Sequence, residues 1–180
     1  MRRASASAVA VFMLAVLLIT VVLGNGQQAA AATTSAPAST IRVAAEAAHR
    51  AVSGFRVQSR QDLSGLLTKY GGRLTAEQNA QAKALAAKAD LTLAQLQAKT
   101  RTTRSLARAG ASSAQIRRAA VAANAAYQAA ATATATALAE IQPLLQDKLS
   151  LFEGFQAKLD LDRALRDFAD VGAAVKAVRP

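Results

Sequence analysis

Cysteine and tryptophan are absent from the 180 residues, histidine occurs once and proline three times. Without cysteine the chain has no disulfide staple and no thiolate to act as nucleophile or metal ligand. The single histidine, His49, cannot supply the several converging ligands that a transition-metal site needs, so it reads as a surface or packing residue. No methionine follows Met13. G-x-S-x-G, Walker-type and dinucleotide-binding patterns are all missing, so no enzymatic activity, cofactor or metal is expected. Aromatic residues make up only 4% of the chain, which leaves little to stack on bases and argues against nucleic acid despite 22 basic side chains against 11 acidic. Large apolar side chains are also scarce, because much of the 52% hydrophobic content is alanine. Burying one Leu or Phe contributes roughly 1.5–3 kcal/mol while ordering a residue's backbone costs roughly 1–2, so a thin alanine-rich core calls for a second copy or a loosely held hairpin.

What is present begins with a signal-peptide pattern. Met1-Arg2-Arg3 precedes the apolar run Ala8–Leu23, a break at Gly24-Asn25-Gly26 and the small residues Ala29–Ala32. Cleavage is expected near Ala31 or Ala32, giving a periplasmic or secreted protein. The run is slightly short of the roughly 20 residues of a spanning helix, and a retained anchor stays open as the second reading. No cysteine follows the run, which excludes a lipoprotein-type N-terminus. The processed chain, residues 33–180, keeps 20 basic and 11 acidic side chains and suits one domain. Such an excess draws an exported protein to anionic surfaces or acidic segments.

Residues 33–40 (TTSAPAST) read as a flexible tail, and 41–180 as a single helical domain. Helical spacing covers Ile41–Val52, ending near Ser53-Gly54, and Asp62–Tyr70, stopping at Gly71-Gly72. Thr75 caps the next helix, with Gln78 three residues on, Glu77 in the first turn and Leu74 in the staple position. That helix runs over about Ala76–Ala109 on a narrow stripe of Leu85, Ala89, Leu93, Leu96, Thr100, Thr103 and Leu106. Gly110 stops it, and Ser112 with Gln115 forms a second capping box for a helix folding back antiparallel. The return helix is expected from Ser113 to about Leu159. Leu138, Leu145, Phe152 and Leu159 fall seven apart, with Ile141 and Phe155 as companions, and Pro143 should kink or break it near Gln142. The Thr/Ala alternation over 129–139 reads as helix from its flanks. Asp160 or Asp162 should start a last amphipathic piece through Leu165, Phe168, Val171 and Val178, interrupted at Gly172. The expected fold is all-α: a long antiparallel hairpin over 74–159 with shorter flanking helices, completed as an elongated dimer.

Two charge clusters stand out. Asp160, Asp162, Asp167 and Asp170 lie beside Arg163 and Arg166, the pattern of a solvated, salt-bridged helix face. Arg101, Arg104 and Arg108 share one face near the Gly110 turn, with Arg117 and Arg118 just across it. Two readings fit them, an ordinary solubilising surface and a docking patch for acidic partners.

Leu74-Thr75-Ala76-Glu77-Gln78 resembles the LTxxQ motif of the Spy/CpxP family of small periplasmic helical proteins. The resemblance implies two motif copies, each opening a helix, around a long hairpin that helps build a cradle-shaped antiparallel dimer. The second copy would fall at Leu144, Leu145, Asp147 and Lys148 in a degenerate form, with Leu145 in place of Thr and Lys148 in place of Gln. Family members include ATP-independent chaperones, envelope-stress modulators and metal-responsive proteins; the missing His, Cys and Met ligands point away from the last. The first of two functions is the one expected, and the second is its alternative. The first is a chaperone or envelope-stress accessory that binds unfolded or envelope proteins as a homodimer. The second is a non-chaperone helical adaptor or spacer tethered to cell wall or membrane; under either, the net charge makes an anionic surface a further expected partner.

Overall fold

Four long helices and one 3-10 turn make up the computed structural model, which describes residues 37–146 and 148–179. The expected signal segment over 1–32 and residues 33–36 of the expected tail lie outside these residues, as do Asp147 and the side chains of Phe152 and Phe155. The fold is all-α, and no strand occurs among the described residues.

Helix α1 spans Ala38–Tyr70, so the two short pieces expected on either side of Gly54 are one helix. A glycine inside a helix costs about 1 kcal/mol relative to alanine. Here tertiary contacts on both sides of Gly54 outweigh that cost: Val52 is fully buried, the Phe55 ring lies 4.9 Å from that of Phe168, and Arg56 reaches Asp90 on the next helix. The expected tail also ends sooner, because Pro37 starts the helix with its carbonyl accepting from the amides of Thr40 and Ile41.

The 3-10 turn Gly71–Arg73 leads to helix α2, Ala76–Arg108. Its capping box closes as the sequence implies: the Gln78 amide donates to Thr75 Oγ1 at 3.2 Å and the Thr75 amide donates to Gln78 Oε1 at 3.1 Å. Ala89, Leu93, Leu96, Thr100 and Thr103 are buried along the stripe, while Leu85 and Leu106 are half-buried. At the far end Gly110 takes a φ of 67°, the left-handed region that favours glycine, and the Ala111 amide reaches back to the Leu106 carbonyl at 3.0 Å.

Helix α3, Ser113–Gln146, opens on the Ser112–Gln115 box and includes the Thr/Ala stretch. It does not break at Gln142 and does not continue to Leu159. Pro143 sits in the last turn, where its missing donor removes one bond from a helix that ends three residues later. Helix α4, Leu151–Lys176, then starts at Ser150, whose hydroxyl accepts from the Glu153 amide while Glu153 accepts from the Ser150 amide. The seven-residue spacing of Leu138, Leu145, Phe152 and Leu159 therefore crosses a turn, and Leu159 stays 43% exposed. Asp160 and Asp162 are interior to α4 rather than its start. Gly172 does not interrupt it either: the glycine is where the Tyr127 ring leans against α4, and a Cβ there would lie 2.5 Å from the ring carbon that bears the hydroxyl.

The contacts run antiparallel around a closed ring. Along α1 and α2, Glu46 pairs with Arg108, His49 with Thr100, Ser53 with Gln97 and Arg56 with Asp90. Helix α3 packs on α2 and α4 packs on both α3 and α1. One apolar cluster joins all four helices through Val52, Leu93, Leu96, Tyr127, Phe168 and Val175. A second gathers Tyr70, Ala82, Ala89, Ile141 and Leu145 towards the other end. The narrow stripe of α2 packs against α1 and α3 of the same chain, and the flanking helices, 33 and 26 residues long, are not short.

Candidate functional site

Antiparallel passes place the start of α1, the end of α2, the start of α3 and the end of α4 at one end of the bundle. The five arginines singled out from the sequence meet there: Arg101, Arg104 and Arg108 on α2, Arg117 and Arg118 on α3. Arg42 and Arg50 of α1, Lys99 of α2, Lys176 closing α4 and Arg179 just beyond it join them. Glu46 is the one acidic residue in the stretches 38–53, 93–130 and 171–179, which carry these ten cations. The stretches 54–92 and 131–170 hold ten basic and ten acidic residues. The whole formal excess of the 33–180 chain therefore sits in one half of the bundle.

Within the basic end Arg108 pairs with Glu46. Arg42, Arg50, Arg101, Arg118 and Arg179 are exposed, and Arg104 is half-buried. His49 is buried beneath them, with Nδ1 3.3 Å from Thr100 Oγ1, whose own proton goes to the Gln97 carbonyl. Burial, then the charges of Arg104 and Arg101, push the imidazole below its usual 6.5. The residue is a packed, neutral side chain under the arginines. No group of three or more potential metal-ligating side chains occurs among the described residues.

The opposite end is neutral and cross-linked. Arg73, over the Tyr70 ring at 5.4 Å, donates to both carboxylate oxygens of Glu153 at 3.1 and 3.2 Å and to the Lys148 carbonyl at 2.8 Å. Arg73, then the amide and hydroxyl of Ser150, lower the Glu153 carboxyl from 4.5 to about 2. The motif residues Leu74, Thr75, Glu77 and Gln78 lie at this end, with Thr75 and Gln78 engaged in closing their helix.

The degenerate motif assigned to Leu144, Leu145, Asp147 and Lys148 opens no helix: Leu144 and Leu145 close α3 and Lys148 lies in the turn. The residues that do the capping are Leu149-Ser150-Leu151-Phe152-Glu153, which repeat the chemistry of Leu74-Thr75-Ala76-Glu77-Gln78 with Ser for Thr and Glu for Gln. Leu74 and Leu149 both pack on the second apolar cluster. A search for any hydroxyl followed three residues later by Glu or Gln would have found this copy.

The acidic group differs from expectation as well. Among the described residues no ion pair joins Asp160, Asp162, Asp167 or Asp170 to Arg163 or Arg166, and Asp160 instead accepts from Gln156. Asp167 and Asp170 edge an open groove of about 270 Å³ between α1 and α4, floored by Phe55 and Val171. Its carboxylates are exposed, and no converging nucleophile or base accompanies them.

Comparison with protein-family models, with curated proteins and with solved structures finds no match to this chain. Among the described residues no helix is long and apolar enough to cross a membrane.

Proposed function

We propose that the protein is an exported, non-catalytic helical adaptor that works by binding an anionic partner at the basic end of its bundle. The observation that carries this reading is the separation of charge: ten cations against one carboxylate in one half, ten against ten in the other. A charge excess gathered at one end raises the local concentration of anions there. Titrating the 33–180 chain with soluble polyglutamate, followed by amide chemical shifts, should move residues around Arg101 and Arg118 and leave those around Lys83 in place. Added salt should reverse the shifts. Shifts centred on the Arg73–Glu153 end would overturn the assignment.

A second reading, the Spy/CpxP-like holding chaperone working as a dimer, draws on the two equivalent capping boxes at one end of the bundle. The inward-facing apolar clusters weigh against it, because the exposed large apolar side chains Val43, Val57, Leu91, Val121 and Leu159 are spread over all four helices. Suppression of aggregation of a denatured model protein at equimolar chain, with a dimer in light scattering, would promote this reading over the first.

A further inference from the structure

We infer that the anionic partner is a lipid bilayer surface, on which the bundle stands end-on through its basic end. The inference rests on the basic-end reading above and adds to it the partner's chemistry and the orientation of the molecule.

Three observations lead to it. First, the cations come from all four passes of the bundle, six of the ten from α2 and α3. Eight of the ten lie within seven residues of a helix terminus at that end or just past it. Seven residues of helix rise about 11 Å, close to the Debye length of about 10 Å at 0.1 M salt, so these charges act on a plane laid across the end. The others, Arg50 and Lys99, lie farther up. Second, the interior behind the patch is filled: the packing of Ala45, Ala48, Thr100, Thr103, Ala123 and Val175 leaves no cavity to seat an inserted side chain. A broad positive end over a filled interior matches a sheet of headgroups better than a folded acidic protein that would insert a side chain. Third, Val43 and Val121, each 65% exposed, lie one and three residues from Arg42 and Arg118. Val121 shares a helix face with Arg118, and exposed apolar side chains near cations suit the interface of a bilayer, where both can be accommodated.

The chain also enters the bundle at this end. Ala38 follows the apolar run Ala8–Leu23 by only 14 residues. If that run is retained in a membrane, the chain joins it to α1 at the basic end of the bundle. Helices of 33 residues are about 50 Å long, so end-on docking would hold the Arg73–Glu153 end about that far from the headgroups.

The 33–180 chain retains both apolar clusters entire and is the form to test. Sedimentation with phosphatidylcholine vesicles, with and without phosphatidylglycerol, should show binding only to the anionic ones and loss of binding as salt rises. Arg42→Gln, Arg101→Gln and Arg118→Gln together should weaken it by about 100-fold, at the strength usual for basic residues near an anionic membrane. Lys83→Gln, Lys88→Gln and Arg166→Gln remove the same net charge from the neutral half and should change it only a few-fold. Equal losses in the two triple variants would overturn end-on docking. Absence of vesicle binding, with polyglutamate still bound through the same arginines, would overturn the lipid assignment and leave the adaptor reading standing. Binding to neither would remove both. A label independent of variant stability completes the test: with no native cysteine, Ser113→Cys and Ala80→Cys each carry one environment-sensitive dye. Anionic vesicles should shift the emission of the first and not the second, and the reverse pattern sinks the orientation.

Discussion

The two halves of the bundle are held by different means. Towards the basic end, all four helices share a cluster around Tyr127, Phe168, Leu93 and Leu96, and electrostatics adds little because only Glu46 opposes ten cations. The neutral end has a cluster described on three helices, and its turns are fixed by two capping boxes and the Arg73–Glu153 clamp. The contrast teaches that an end carrying the charge excess can be held by apolar packing shared among four helices, while the neutral end adds polar bonds to an apolar cluster of its own.

The sharpest way to break the contrast is Tyr127→Ala. It removes a ring that is 1% exposed and packs 5.1 Å from Phe168, and should cost about 3–5 kcal/mol in denaturant unfolding. A loss below 1 kcal/mol would show that the basic half does not depend on this cluster. Gly172→Ala comes next, at about 1–3 kcal/mol from overpacking against the same ring, and Tyr127→Phe should restore only part, because the ring itself is also too close. In the neutral half, Thr75→Ala and Ser150→Ala should each cost about 1 kcal/mol, with faster hydrogen exchange confined to the first turns of α2 and α4.

Acid should separate the halves without large loss of either. His49 is pushed below 6.5 in the folded chain, so the unfolded chain takes up the proton first and stability declines as pH falls from 6.5 towards the lowered value. Glu153 is held at about 2 against 4.5, so its contribution is complete above pH 4.5 and is lost between 4.5 and 2. His49→Gln should flatten only the upper part of the melting-temperature profile and Glu153→Gln only the lower. The Glu153 change should be the smaller one, since the pair is solvent-screened. Identical profiles for wild type and both variants would contradict both assignments.

Helix α2 and its two turns were legible in the sequence because their signals are local hydrogen-bonding groups: Thr75 with Gln78, Gly110, and Ser112 with Gln115. The unity of α1 was not, because what carries it through Gly54 lies on other helices, at Asp90 and Phe168. The turn before α4 was misplaced for a different reason. Leucines and phenylalanines at heptad spacing gave a longer-range pattern than Ser150 and Glu153, yet the short polar pair decides where the helix starts. At the basic end, five arginines could be found because one turn separates them. Arg42, Arg50, Lys176 and Arg179 could not, since their nearness depends on four passes closing into a ring.

An even number of passes returns the polypeptide to where it set out. Whatever is fused before Pro37 or after Arg179 emerges beside the arginines, so a bulky fluorescent protein at either terminus should obstruct contact there. The short connections at 71–75 and 148–150 offer the opposite: cargo grafted into them would be carried at the distal tip, clear of the footprint.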